Sequence, residues 1–184
     1  YLYNRVYYTV PQCNNLLVVL NSVSIENKEQ VVAEVRFLRS LSYYYMIDCF
    51  GKGVLVTEAQ NGVSTPLPES TRTELFNFVE SELVQAIEDL PQTNSYGRAN
   101  KYAASMLLAK LYLNAEVYTG TARYTEALTF NNDSFDKNIE ETLIAGDGLC
   151  NPEIVEVVVK EGALRVNEII EWGAQFDKEK DGDY

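Results

Sequence analysis

The sequence predicts a mainly α-helical protein of stacked helical hairpins, followed by a less regular C-terminal segment. Apolar residues recur at steps of three and four in four separate stretches between Val6 and Tyr118, the period of one buried helix face. Two of those stretches run into helix-stopping residues, Gly51 and Gly53 in one case and Pro91 in another. At 184 residues, 46% hydrophobic and 23% charged, the composition is that of a folded chain with one core or two small ones.

The first stretch, Val6 to Leu20, reads as a helix that tolerates Pro11 only near a first turn or at a kink, because proline has no N–H and crowds the preceding turn. The second runs from about Lys28 to Phe50 and carries two stripes. Val31, Val35, Leu38, Tyr45 and Cys49 form one, Phe37, Leu41 and Tyr44 the other, so this helix needs neighbours on two sides. In the third, Glu74 to Leu90, the apolar stripe is Leu75, Phe76, Val79, Leu83, Ala86, Ile87 and Leu90, opposite Glu80, Glu82, Gln85 and Glu88. Thr71 to Glu74 has the spacing of a capping box at its start. The fourth, about Lys101 to Tyr118, sets Ala104, Leu107, Leu108, Leu111, Tyr112 and Ala115 on one face. Two loops, Gly53 to Ser70 with Pro66 and Pro68, and Gln92 to Gly97, are long enough to carry function.

The chain changes character near residue 130. Residues 1–130 hold 10 basic and 13 acidic residues, net −3, and 12 of the 13 tyrosines, whereas residues 131–184 hold 5 and 14, net −9. The expected division is a helical region over 1–130 and an acidic segment of uncertain structure over 131–184, possible as part of the same domain. A net charge of −12 predicts no nucleic-acid partner, since phosphate neutralisation needs an excess of Lys and Arg. No apolar run approaches the roughly 20 residues of a spanning helix, and Tyr1 to Arg5 carry no secretion signal, so the chain is expected to begin inside a longer protein or after processing.

The three cysteines, Cys13, Cys49 and Cys150, form no CxxC pair, and there is no His, so no zinc site is expected and each Cys reads as a small buried apolar residue. The lack of His also removes the commonest general base. Adjacent carboxylates such as Glu88 and Asp89 diverge on a helix and cannot face one substrate. No enzyme and no cofactor are expected.

Leu108-Ala109-Lys110-Leu111-Tyr112 followed by Tyr124-Thr125-Glu126-Ala127-Leu128 is similar to a degenerate tetratricopeptide repeat, with Ala109 and Ala127 small enough for two helices to approach closely. Three stretches together resemble the SusD/RagB family of outer-membrane nutrient-binding lipoproteins of Bacteroidota. They are Ala33 to Ser40 continuing through Tyr43-Tyr44-Tyr45 and Phe50-Gly51 to Thr57-Glu58, then Gly97 to Ala104 running into Leu107 to Leu113, and Cys13-Asn14-Asn15. Val54 stands where the family usually has Pro, and Gln12 where it usually has Arg. The resemblance covers about residues 1–130. Beyond it, only Asn151-Pro152-Glu153-Ile154-Val155 is similar to a run in relatives.

The resemblance implies non-catalytic binding of glycan or another nutrient at the cell surface, for import with a SusC-like TonB-dependent transporter. It places the protein at the outer membrane, held by a lipid anchor that this chain does not contain. The alternative is a tetratricopeptide-like protein-interaction scaffold.

Sugars are held by aromatic rings stacked on their apolar faces. The weak candidates for ligand binding are Trp172, Tyr96 and Tyr118, while Tyr43, Tyr44 and Tyr45 read as packing between helices. Arg36 and Arg39, near Glu34, read as ion pairs at helix spacing. Asp177, Glu179 and Asp181, with Gly182 after them, have the spacing that opens a calcium loop, but a solvated acidic tail is the more economical reading.

Overall fold

The helices of the computed structural model begin and end where backbone chemistry requires. Residues 1–60, 65–127, 129, 130, 139, 140, 143 and 151–171 are described. Helix α1 spans Leu2–Ser22, α2 Lys28–Phe50, α3 Arg72–Asp89, α4 Lys101–Leu113 and α5 Ala115–Thr119, with a 3-10 turn over Glu58–Gln60. The α3 start is a complete capping box: the Thr71 side chain accepts from the Glu74 N–H, and the Glu74 carboxylate accepts from the Thr71 N–H at 2.7 Å. Helix α2 ends at Gly51 with φ +77°, a left-handed residue whose N–H donates to the Met46 and Ile47 carbonyls. Asn100 caps α4 through its side chain, which accepts from the Ala103 N–H at 2.8 Å.

Two boundaries depart from expectation. Pro11 lies well inside α1 rather than in its first turn, and the helix continues past it to Ser22. The helix expected over Lys101 to Tyr118 breaks at Asn114, whose side chain donates to the Lys110 carbonyl at 3.2 Å, so the chain restarts as the short α5.

The helices stack in chain order, with α1 against α2, α2 against α3, and α3 against both α4 and α5. The main core draws Val6 and Val10 from α1, Tyr43, Met46 and Ile47 from α2, Leu75, Phe76, Val79 and Leu83 from α3, and Leu107, Leu108, Leu111 and Tyr112 from α4. A second cluster of Cys13, Leu17, Leu20 and Val35 closes the other end of the α1–α2 contact. Helix α2 does have neighbours on two sides, but the faces differ from those read off the sequence. Its buried line is Ala33, Val35, Arg39, Ser40, Tyr43, Met46 and Ile47, while Leu38, Tyr45 and Cys49 are exposed. The error is physical: two polar residues lie on the buried face, and an apolarity count skips them.

The protein is mainly α, and every element named above is a helix. The chain divides into two units, Tyr1–Asp133 and Ser134–Tyr184. In the second, the less regular segment includes a 20-residue helix, Pro152–Glu171. Its Val155 is buried, Ile154, Val157 and Val158 are exposed, and Lys160 pairs with Glu156 one turn back at 2.8 Å. Cys150 lies outside the described residues. Ala109 and Ala127 are both buried. Ala109→Leu is expected to destabilise the first unit by roughly 1–3 kcal/mol through overpacking, read as a lower urea midpoint with an unchanged slope.

Candidate functional site

Four elements meet at one buried cation. Arg39 of α2 is 1% exposed, and its guanidinium donates to Glu82 of α3 through Nε at 3.0 Å and Nη2 at 2.5 Å. Its Nη1 donates to the Asn14 side chain of α1 at 2.7 Å and to Glu58 of the 3-10 turn at 2.5 Å. The face of Phe78 lies 5.2 Å from the guanidinium carbon. The planar fork of arginine suits this task, because its donors diverge toward separate acceptors while one carboxylate takes two of them.

The predicted pairing of these charges at helix spacing is corrected here. Arg39 reaches across to Glu82 and Glu58, Glu34 pairs instead with Arg98 at 2.7 Å, and Arg36 lies 3.9 Å from Glu82. Glu82, expected on the solvent face of α3, is buried for the same reason.

Next to Arg39 the chain from Val54 to Thr57 runs as a strap outside any helix or strand, leading into the 3-10 turn at Glu58, and side chains bind its backbone. Tyr7 accepts from the Val54 N–H at 2.6 Å, Tyr43 accepts from the Val56 N–H at 2.7 Å, and Asn14 donates to the Val56 carbonyl at 3.0 Å. The strap's loop is pinched at its ends by Gly53 and Ser70, each donating its N–H to the other's carbonyl. A Cβ at Gly53 would stand 2.9 Å from both Met46 and the Tyr7 hydroxyl, so glycine is what lets the strap lie this close. Burial pushes the Tyr7 and Tyr43 hydroxyls up, which keeps them protonated donors and acceptors.

The exposed surface carries two features of another kind. Between α1 and α2 lies a groove of about 260 Å³, walled by Leu2, Val6, Leu38, Leu41 and Tyr45. The Thr9 and Ser42 hydroxyls are spent on their own helices, on the Arg5 and Leu38 carbonyls, both at 3.0 Å, and Arg5 is held by the Tyr1 hydroxyl at 2.8 Å. The groove is therefore mainly apolar, with the Arg5 cation and the Tyr45 hydroxyl as its polar groups. The second feature is Tyr96, fully exposed in the loop after α3. That loop is fastened by Asn94, which donates to the Ala99 carbonyl and to Glu34, and by Arg98 on Glu34.

The sequence candidates are not brought together. Tyr96 is on the surface, whereas Tyr118 is 6% exposed, packed on Phe76 and donating its hydroxyl to Asp48 at 2.7 Å. Tyr43 is fully buried, but Tyr45 is exposed on the groove. Trp172, Asp177, Glu179 and Asp181 lie outside the described residues. Among the described residues no cluster of His, Cys, Asp and Glu is arranged to hold a metal ion. The Arg39 junction was missed as a unit, although Asn14, Arg39 and Glu58 all fall in the stretches singled out above; only polar residues at buried helix positions could have pointed to it.

A family described as starch-binding and associating with the outer membrane, the SusD-like family, matches residues 1–113. The starch-binding protein SusD of Bacteroides thetaiotaomicron is 36% identical over 129 residues, 69% of this chain and 23% of that protein. The chain thus spans about a quarter of the length of that relative. A crystal structure described as holding xylogluco-oligosaccharide superposes with a TM-score of 0.65 at 27% identity, covering 72% of this chain and 28% of the other. A second family, described as an FAD binding domain, matches residues 119–184. A chloroplastic L-aspartate oxidase of Oryza sativa is 34% identical over 87 residues, 45% of this chain and 13% of that enzyme. The run Asn151 to Val155, taken above as similar to the first family, lies inside this second match.

Arg39→Met is expected to cost about 3–5 kcal/mol, because it removes the buried partner of Glu82 and leaves it only the longer contact with Arg36; chemical denaturation of the intact chain measures it. Stability should also fall in acid. Burial alone would raise the Glu58 and Glu34 carboxyls, but hydrogen bonds from Arg39 to the first and from Arg98, Gln30 and Asn94 to the second outweigh it and hold both below the ordinary value. With folded values below unfolded ones, the unfolded chain binds more protons. The contribution is complete above the ordinary glutamate value, about 4.3, and is lost as pH falls through the folded values. Thermal melts from pH 6 to pH 3 should therefore shift downward, and less so in Glu58→Gln.

Proposed function

This chain belongs to the SusD-like family, and from that premise we propose that it binds glycan at the cell surface for import, without chemical turnover. The observation that carries the reading is the match of residues 1–113 to a starch-binding family, with 36% identity to SusD over 129 residues. The stacked helices give a rigid face for a large partner, and the partner proposed is a SusC-like TonB-dependent transporter. The location proposed is the outer membrane. The ligand class proposed is oligosaccharide, whose pyranose faces are apolar and whose hydroxyls stay partly wet. Of the aromatic candidates on described residues, Tyr96 offers an open ring, while the Tyr118 ring is committed to the core.

The test is calorimetry of the intact chain against a panel of starch, xyloglucan and laminarin oligosaccharides. Weak saturable heat with at least one glycan and no change in its length is the expected result. Tyr96→Ala should weaken that binding by on the order of 0.5–1.5 kcal/mol, the worth of one aromatic contact, while Tyr118→Phe should leave it unchanged. No heat across the panel, together with capture of an amphipathic peptide, would replace this reading with the scaffold.

A further inference from the structure

Helices α3 and α4 are already joined at the base of the loop between them. The Lys101 N–H donates to the Pro91 carbonyl at 2.9 Å, so the two ends of the connection touch. Residues 92–99 are therefore an excursion with closed ends, the form of a compact surface loop that carries side chains outward rather than of a link that spans a gap. What it carries is Tyr96, whose ring is as open to water as in an extended chain.

Hydrogen bonds hold the excursion still. At its tip the Arg98 N–H donates to the Ser95 carbonyl at 3.0 Å, closing a turn whose third residue, Gly97, has φ +82°. Asn94 braces that turn: its side chain accepts from the Ser95 N–H at 2.8 Å and donates to the Ala99 carbonyl at 2.7 Å. One carboxylate then pegs the turn to α2. Glu34, its side chain 13% exposed, accepts from Asn94 at 2.8 Å and Gln30 at 3.0 Å on one oxygen, and from Arg98 through Nε at 3.0 Å and Nη2 at 2.7 Å on the other. Donors converge on both oxygens, so only the ionised acid suits them; a glutamine here would turn its own N–H groups toward donors on one side.

None of these bonds uses the Tyr96 side chain. They fix where the ring stands without covering it. A ring already in place loses less freedom when a ligand lands on it, which is how one open aromatic becomes useful to a weak binder. We propose that Glu34 is a positioning residue for glycan binding: from α2 it fixes the turn that presents Tyr96, and it acts on the ligand only through that ring. The proposal rests on the glycan reading above and deepens it.

The experiment uses the intact chain and two readouts. Chymotrypsin cleavage after Tyr96 reads the turn with no ligand present, because the protease needs the loop opened into an extended segment. Glu34→Gln is expected to speed that cut about fivefold or more, relative to the cut after exposed Tyr8 in the same sample, with helical circular dichroism unchanged. Arg98→Gln removes the same bond from the loop side and serves where the first variant does not fold. Calorimetry with a glycan that the wild-type chain binds reads the use of the ring. Glu34→Gln should weaken that binding about threefold, no more than Tyr96→Ala does, and should change nothing further in the Tyr96→Ala background. Wild-type cleavage rates in both variants overturn the proposal, as do losses of affinity that add or glycan heat unchanged by Glu34→Gln. No glycan heat from the wild-type chain sinks the glycan reading instead, and the cleavage rates then decide by themselves whether Glu34 holds the turn.

Discussion

A guanidinium with almost no contact with water ties the first unit together. Arg39 is a point where α1, α2, α3 and the 3-10 turn after the strap meet, through Asn14, Glu82 and Glu58. A charge at 1% exposure carries a desolvation cost of several kcal/mol unless its attractions are well formed. Two carboxylates, an amide oxygen and the face of Phe78 supply them. Their acceptors have fixed directions, so the junction does what apolar packing cannot: it specifies how far each element may slide. A leucine core tolerates small shifts of one helix along another, whereas moving α3 by one residue would carry Glu82 out of reach of Arg39.

The strap follows from that junction. Backbone outside helices and sheets must find partners for its N–H and C=O groups, and here tyrosine hydroxyls and one amide supply them. Asn14 does both jobs, accepting from Arg39 and donating to the Val56 carbonyl, so the cation and the strap are one hydrogen-bonded system. Glu58 then anchors the far end of the strap to the same cation. This explains why the buried line of α2 runs through Arg39, Ser40 and Tyr43 rather than through its most apolar positions.

Helix positions were readable from sequence because they depend on local chemistry: the Thr71–Glu74 box, Gly51 and Pro91 mark ends whatever surrounds them. Faces were readable only where burial is apolar. In α3 the stripe from Leu75 to Ala86 was recovered, yet Glu82, beside Leu83, was assigned to solvent because its partner lies 43 residues away. Leu38, Tyr45 and Cys49 were assigned to the interior because they continue the stripe begun by Val31 and Val35, although α2 turns that flank outward. Tyr118 was read as a ligand-binding candidate at the end of one long helix because the break at Asn114 gives no strong signal, while its ring packs on Phe76 and its hydroxyl donates to Asp48. Long-range polar pairing decided each of the first errors, and a local side-chain competition with the helix decided the last.

A chain covering about a quarter of its SusD relative can still close a core, and the reason is the architecture. In stacked helices each element is stabilised by its neighbours in the stack, so a core does not wait for distant parts of the sequence. Here α1 and α2 seal Cys13, Leu17 and Val35 at one end, and α3, α4 and α5 enclose Phe76, Tyr112 and Tyr118 at the other. Arg39 lies between them, with all four of its polar bonds made by residues from 14 to 82. The constraint that orders the fold therefore lies wholly within the SusD-like stretch.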